Sequence, residues 1–323
     1  MRRSVTNIIR YLVAVLALLN PLTAVVLLGY VYRRQEALLV SLYGDSAYEA
    51  PSWFRSSGEM PQASFAQRNF GGLWDNLKTG FSGTLALGVI VLPVSLLMAV
   101  SWYAGWNNSF NKGYEYAPVG PLLGIAGVVL GMITMSYLTI AQARHAYTGD
   151  WHSVFALRAN LAMVSAQPLW FPLLPVLGGV AAGVLLLCRG FPVFAFNVPA
   201  FHDFDNASGF LIRWSFFWGL IFVPVYFAMK SVAARLYARS VGQAIYKGNL
   251  TLADLYPAEV VFSSTPVKAP YRQLPGVVTL AISVLCWFPV FALQYVQQFL
   301  NNLGTWGWLN QPLAWLPLLY YSP

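Results

Sequence analysis

Long runs of apolar residues constrain this sequence more than any other feature. A helix needs about 20 predominantly apolar residues to cross a bilayer. Five runs of about this length are clear, at residues 84–106, 121–141, 169–188, 209–229 and 274–295. Only 9% of the residues are charged, whereas soluble domains have about 25%. The sequence therefore predicts an all-α integral membrane protein, a single polytopic domain over residues 1–323 with five clear transmembrane helices.

A sixth apolar run, residues 8–31, is interrupted near its middle by Asn20-Pro21. Proline removes a backbone donor and disfavours helix in the residue before it. The run is then either a kinked span or a re-entrant hairpin of two half-helices. We favour the hairpin, because it keeps Arg2, Arg3 and Arg10 on the same side as the other basic regions.

Mixed segments between the runs are predicted to lie along the membrane interface. Residues 73–78, which begin Leu73-Trp74, are typical of a short interfacial helix, and residues 151–164 have apolar residues at roughly helical spacing. The last segment, 296–323, is rich in Trp and Tyr, which favour the headgroup level. We expect interfacial helices at the first two places and an aromatic interfacial tail at the third.

The positive charges indicate the topology. Residues 32–83, 141–168 and 230–272 hold most of the Lys and Arg, and five crossings place all three regions on one side. Because basic residues accumulate on the cytoplasmic side, these long basic regions are predicted to be cytoplasmic. The same rule explains the net charge of +8 without a nucleic-acid partner. We expect a multi-pass protein of the bacterial inner membrane.

Two similar motifs predict helix ends. Residues 143–151 read Ala-Arg-His-Ala-Tyr-Thr-Gly-Asp-Trp, and residues 245–250 read Ile-Tyr-Lys-Gly-Asn-Leu. A glycine tolerates the left-handed backbone that ends a helix, and the Asp or Asn that follows can cap the next helix. The motif is either a tight turn alone or a functional site built on Arg144, His145 and Asp150. A weaker copy at Gly72-Leu73-Trp74-Asp75 suggests a partial internal repeat.

Small residues at four-residue spacing predict close helix packing. In lipid, such residues allow two helix backbones to approach each other. The positions are Gly120, Gly124, Gly127 and Gly131 in one run and Gly179 and Gly183 in the next.

These motifs carry a resemblance to a known family. The relevant residues are Gly29-Tyr30 with Arg33-Arg34, Trp74-Asp75 with Gly80, and the Ala-Arg-aromatic-Ala-x-x-Gly-Asp pattern at 143–150. Over about residues 8–240 the chain resembles the bacterial and archaeal membrane proteins grouped as domain of unknown function four thousand and thirteen. The resemblance implies a multi-span helical fold and no assigned activity. His145 stands where that family's pattern has Tyr, which argues against a fixed chemical role there.

Polar residues in or near the runs are few. Arg213 is predicted either to reach the headgroups or pair with Asp203 or Asp205, or to line a passage for a substrate or proton. His145 and His152 lie at the membrane edge, where hydrogen bonding is a simpler role than haem or pigment ligation. Cys188 and Cys286 lie in apolar runs as packing residues. We recognise no catalytic residues, metal ligands or cofactor motif.

The sequence therefore favours a non-enzymatic membrane protein. Our first hypothesis is an accessory or scaffold subunit that contacts the lipid bilayer and other membrane-protein chains. The alternative is a transporter or channel for a small molecule or lipid, and an enzyme acting on lipids is a third hypothesis. A polar cavity inside the helices would favour transport, an apolar face against other chains would favour scaffolding, and a polar cleft beside Arg144 and Asp150 would favour an enzyme.

Overall fold

A computed structural model describes residues 2–44, 51, 53–54, 65–101, 119–167, 204–264, 275–289 and 291. All the regular elements in these ranges are helical. The α-helices are α1 (Arg2–Ala17), α2 (Pro21–Tyr43), α3 (Phe65–Ser101), α4 (Val119–Thr148), α5 (Leu157–Ala166), α6 (Phe204–Tyr246) and α7 (Gly276–Leu285). Three 3-10 helices cover Trp151–Phe155, Leu252–Asp254 and Pro257–Ser264.

Among the described residues, three helices are long and apolar enough to cross a membrane. They are Phe70–Ser101 of α3, Val119–Thr148 of α4 and Ile212–Tyr246 of α6. They contain the run predicted at 121–141 and most of the runs at 84–106 and 209–229. The run at 169–188, its packing residues Gly179 and Gly183, and the tail at 296–323 lie outside the described residues. In the last run α7 has only 10 residues, so five spans are not confirmed.

The outer faces of α3 and α4 are apolar. Large exposed side chains recur every three or four residues, which places them on one side of each helix. On α3 they are Phe81, Leu85, Val89, Leu92, Leu96 and Val100, and on α4 they are Leu122, Ile125, Val129 and Ile133. Such faces suit the acyl chains of a bilayer.

The long helices include segments that the sequence suggested were separate. Residues 73–78 lie inside α3 and do not form a short interfacial helix of their own. The Gly72-Leu73-Trp74-Asp75 copy of the repeat therefore lies within one helix and does not precede a separate interfacial segment. A glycine inside a helix costs only about 1 kcal/mol, and no proline occurs in α3 before Pro93, so nothing there ends the helix.

The predicted break at Asn20-Pro21 separates α1 from α2. The side chain of Asn20 caps α2 by accepting from the Leu22 amide (2.9 Å), and Pro21 occupies the first helical position. The fixed φ of proline suits that position, where its missing donor costs nothing. α2 then continues to Tyr43, well beyond the apolar run. Whether this pair of helices crosses the bilayer or turns back within it stays a prediction.

α2 and α3 approach each other closely at Gly29 and Gly80. A Cβ atom on Gly29 would lie 1.8 Å from the Asn76 carbonyl oxygen, and one on Gly80 would lie 1.9 Å from the Val25 carbonyl oxygen. One turn along, the Arg33 guanidinium donates to Asn76 Oδ1 (2.8 Å). Only glycine at both positions allows this approach of the two backbones.

The glycines of α4 are all buried, as predicted. A Cβ atom on Gly127 would lie 3.1 Å from the Met98 side chain of α3. One on Gly131 would lie 2.4 Å from the Phe291 ring. We call these four glycines, Gly120, Gly124, Gly127 and Gly131, the glycine stripe. The stripe faces α3 at Gly127 and the chain after α7 at Gly131.

Pairs of contacting residues give the helix directions. Gly29 lies against Gly80 and Asn76, and Arg33 lies further along α2 against Gly72, so α2 and α3 are antiparallel. The Ser101 hydroxyl donates to the Gly120 carbonyl (2.5 Å), whereas Ser82 lies near His145, so α3 and α4 are also antiparallel. The C-terminal ends of α2 and α4 therefore meet the N-terminal half of α3. We call this the basic end of the bundle.

Candidate functional site

The Gly149-Asp150 turn has the geometry that its sequence predicts. Gly149 has φ of +69°, and its amide donates to the His145 carbonyl (2.9 Å), which ends α4. Asp150 then accepts from the His152 amide (3.0 Å) and caps the helix Trp151–Phe155. The expected helix stop and helix start are both confirmed here.

The second turn, at Gly248-Asn249, agrees with its prediction only in part. Gly248 has φ of +72° and follows the end of α6, as predicted. The cap of the next helix is not Asn249, however. Thr251 caps it instead, because Asp254 Oδ2 accepts from both the amide (2.9 Å) and the hydroxyl (2.7 Å) of Thr251. These hydrogen bonds lower the pKa of the Asp254 carboxyl.

The left-handed glycine gives a test of the turn. A Cβ atom on Gly149 would meet nothing within 4 Å, so the cost of Gly149→Ala comes from the backbone alone. We expect a loss of about 1–2 kcal/mol in unfolding free energy, and a smaller loss for Gly149→Asn, since Asn tolerates this region better. Thermal unfolding in detergent measures both, and an unchanged melting temperature for the Ala variant would contradict the assigned turn.

Arg144 is fully buried at the basic end. Its side chain is 1% exposed, and its Nε and Nη2 donate to Glu259 Oε1 (2.8 Å) and Oε2 (2.9 Å). Nη2 also lies 3.3 Å from the Asp254 carbonyl oxygen, and the guanidinium carbon lies 5.1 Å from the centroid of the Tyr256 ring. The two parallel hydrogen bonds make this a bidentate ion pair.

Glu259 has further partners of its own. The Tyr237 hydroxyl of α6 donates to Oε1, and the Tyr256 amide donates to Oε2 (2.8 Å). The carboxylate is therefore satisfied by an Arg, a Tyr and a backbone amide while being 0% exposed. These contacts fasten residues 250–264, which we call the cap segment, to α4 and α6.

The three residues predicted as one site lie near one another but have different main partners. Tyr256 packs on the Arg144 guanidinium and hydrogen-bonds Asp150, and Asp150 also interacts with His145. Arg144 is buried and its guanidinium donates to Glu259, so it is not exposed to a ligand. The His145 ring packs against Tyr32, with Nε2 3.5 Å from the Ser82 hydroxyl. Asp150 forms an ion pair with His152 Nδ1 (2.8 Å) at the surface. Partial burial raises the pKa of the Asp150 carboxyl, but its hydrogen bonds from His152 outweigh this effect and leave the pKa below its usual value.

Arg213 does not line an internal passage among the described residues. Its side chain is exposed on α6, and its Nε donates to the Gly209 carbonyl one turn earlier (3.0 Å). The guanidinium thus reaches back toward the start of the helix, as expected of an arginine that extends to the headgroups.

A buried lysine lies between three helices, although the sequence predicts it at the start of a cytoplasmic basic region outside the spans. Lys230 of α6 is 8% exposed, and its Nζ donates to Gln142 Oε1 of α4. Nζ also lies 5.4 Å from the ring centroid of Tyr226 and 6.0 Å from that of Tyr32 in α2. The Lys230 carbonyl accepts from Gln35 Nε2 (2.7 Å). We call these five residues the Lys230 site.

The Lys230 site has unused polar atoms. The Tyr32 hydroxyl and Gln35 Oε1 are buried and have no hydrogen-bond partner among the described residues. Within the same ranges, no carboxylate lies within ion-pair distance of Lys230. Buried polar groups are normally paired, and a buried charge is normally balanced. The site therefore has both charge and hydrogen-bonding capacity available for a ligand.

One signal in the sequence indicates that this lysine lies within a helix whose buried face continues beyond it. Past Lys230, buried apolar residues continue at helical spacing through Ala234, Tyr237 and Val241. These positions lie on the same face of α6 as Tyr226 and Lys230, since residues three or four apart are neighbours on a helix. We read the basic residue as the end of the span, although the periodicity continues.

In the described ranges, no group of three or more His, Cys, Asp or Glu side chains is arranged to hold a metal ion. No family model matches the chain, and comparison with curated proteins and with solved structures finds no significant match. The function must therefore be argued from the Lys230 site and its surroundings.

Proposed function

We propose that this is a non-enzymatic membrane protein that binds and carries a small molecule or lipid at the Lys230 site. The observation that supports this most is the position of Lys230, a buried cation without a carboxylate partner in the described bundle. Ionisable residues inside membrane helices are rare and face substrate pathways or binding cavities by default. A ligand that accepts hydrogen bonds would balance the ammonium group.

The surroundings of Lys230 also support binding over a purely structural role. A lysine near the end of a span usually extends its ammonium group to the interface. Lys230 instead turns inward, where Gln142 supplies one acceptor for three donor hydrogens. Its neighbours Tyr32 and Gln35 have unused hydrogen-bonding atoms. If Lys230 served only the stability of the fold, an apolar residue at this position would stabilise the protein more.

The accessory-subunit hypothesis has less specific support. The apolar faces of α3 and α4 suit lipid acyl chains as well as a partner chain, so they do not distinguish the two functions. The Arg144–Glu259 pair, in turn, fills the place where an enzymatic cleft was considered. Transport or ligand binding is therefore our first proposal, and a subunit function is the second outcome of the test below.

Native mass spectrometry after mild detergent extraction tests the proposed function. We expect the wild-type protein to retain a non-covalent small molecule or lipid, Lys230→Met to lose it, and Lys230→Arg to keep part of it. Arg213→Gln is the matched control, because it removes the same charge from an exposed position on the same helix. Circular dichroism and size-exclusion chromatography establish that each variant is folded.

Two results would contradict the proposal. One is the absence of any bound species from the wild type. The other is a bound species that survives in a folded Lys230→Met variant. Reproducible, stoichiometric partner chains without a small ligand would instead support the accessory subunit.

A further inference from the structure

A second cation lies beside Lys230. The guanidinium carbon of Arg34 in α2 lies 5.0 Å from the ring centroid of Phe227 in α6. Phe227 is one helical turn before Lys230. The hydrogen bond from Gln35 to the Lys230 carbonyl joins the same turns of α2 and α6. The two cations therefore lie on adjoining turns of one helix contact.

Neither cation is neutralised by a carboxylate in the described part of the chain. Two other arginines at the basic end do have a carboxylate partner. Arg33 lies 3.8 Å from Asp75 Oδ2, and Arg144 is paired with Glu259. Arg34 and Lys230 have aromatic rings and amide oxygens as partners instead. Two like charges on adjoining turns repel each other, so an anion between them would be favourable.

We propose that the Lys230 site, extended by Arg34, binds a phosphate group, so that the ligand is a phosphate-bearing small molecule or lipid headgroup. This rests on the function proposed above. A phosphate monoester carries up to two negative charges and can balance two cations, whereas a carboxylate or a phosphodiester balances one. The planar guanidinium of Arg34 matches two phosphate oxygens, and the Lys230 ammonium acts as a point charge.

The unused polar atoms of the site fit the same ligand. The Tyr32 hydroxyl can donate to a phosphate oxygen. Gln35 Oε1 can accept from a hydroxyl, either on a protonated phosphate or on an attached alcohol. Both groups belong to α2, on the turn that carries Arg34. The ligand would thus satisfy the two buried atoms that lack partners.

The position of the site in the bundle also suits a headgroup. Lys230 is the first of several basic residues on α6, followed by Arg235 and Arg239, so the site lies toward the basic end of the bundle. Arg34 is half-buried and lies over Phe227, one turn before Lys230, in the α2–α6 contact. Basic pockets between membrane helices on the cytoplasmic side bind lipid phosphates in this way. A soluble phosphate compound could enter from the same end.

Thermal unfolding with defined probes tests the proposal. In phosphate-free detergent, we expect millimolar inorganic phosphate to raise the wild-type melting temperature by roughly 3 °C or more. Acetate at matched ionic strength serves as the carboxylate probe. In nanodiscs, phosphatidic acid, whose phosphate is a monoester, is compared with phosphatidylcholine. Arg34→Gln, Lys230→Met and the double variant should lose the response, and Arg213→Gln should retain it.

The outcomes separate this inference from the proposed function. A response to phosphate alone indicates a soluble ligand, and a response to phosphatidic acid indicates a lipid headgroup. Both support the proposal. An equal, Lys230-dependent response to acetate overturns the phosphate inference but leaves ligand binding intact. The phosphate inference is also overturned if the wild type and the double variant respond equally, or if the wild type responds to no probe. If the mass spectra also show no bound species, the proposed function fails too.

Discussion

Replacing Arg144 by Met should unfold the basic end of the protein. The substitution leaves the Glu259 carboxylate buried with only Tyr237 and a backbone amide to balance it. Removing one partner of a buried ion pair costs about 3–5 kcal/mol, because the remaining charge is not compensated. We expect a loss of that size in reversible unfolding in mixed micelles, and cleavage of the cap segment by protease at lower temperature.

A double-mutant cycle separates the ion pair from simple loss of packing. Glu259→Gln alone should also destabilise the protein, whereas Arg144→Met with Glu259→Gln should cost less than the sum of the two single changes. Arg158→Ala is the control, since Arg158 is exposed on the neighbouring helix α5, and we expect a change within about 0.5 kcal/mol. Additive effects of the two changes would contradict direct coupling between Arg144 and Glu259.

Gly29→Val should separate α2 from α3. Its Cβ atom would lie 1.8 Å from the Asn76 carbonyl oxygen, and the obstacle is backbone, which cannot rotate away as a side chain can. Overpacking a tight contact costs about 1–3 kcal/mol, and more where the backbone must move. We expect a loss at or above the upper end of that range, together with a lower yield of folded protein in detergent.

A glycine elsewhere provides the matched control for this contact. At Gly209 of α6, the nearest atom to an added Cβ is 3.4 Å away and belongs to the flexible Arg213 side chain. Gly209→Ala should therefore be neutral or stabilise the helix by up to about 1 kcal/mol. If Gly29→Val and Gly209→Ala had the same melting temperature, the close crossing of α2 and α3 would be wrong.

The sequence alone predicts the features that depend on residues close together in the chain. Asn20-Pro21 and Gly149-Asp150 define helix ends because a cap, a missing donor and a left-handed glycine act within a few residues. The three long apolar helices follow from length and hydropathy alone. The glycine stripe of α4 was likewise predictable, because small residues three or four positions apart share one helix face.

Features that depend on distant residues were not predictable from the sequence alone. Arg144 was noticed, but nothing in the order of residues indicates that Glu259, 115 positions later, is its partner. Lys230 was misplaced because a basic residue after an apolar run usually marks the end of a span. Its inward orientation depends on α2 and α4 packing around it, which a single helix cannot reveal.

The distance along the chain between Arg144 and Glu259 has a consequence for biosynthesis. During translation at 5–20 residues per second, roughly 6–23 s pass between the synthesis of the two residues. Throughout that time α4 carries an unmatched cation at its end, which only water can solvate. The cap segment can therefore dock only after Glu259 has been synthesised, later than α1 to α6. Nascent chains halted before Glu259 would present this exposed arginine to the cell's quality-control machinery, whereas completed chains would conceal it.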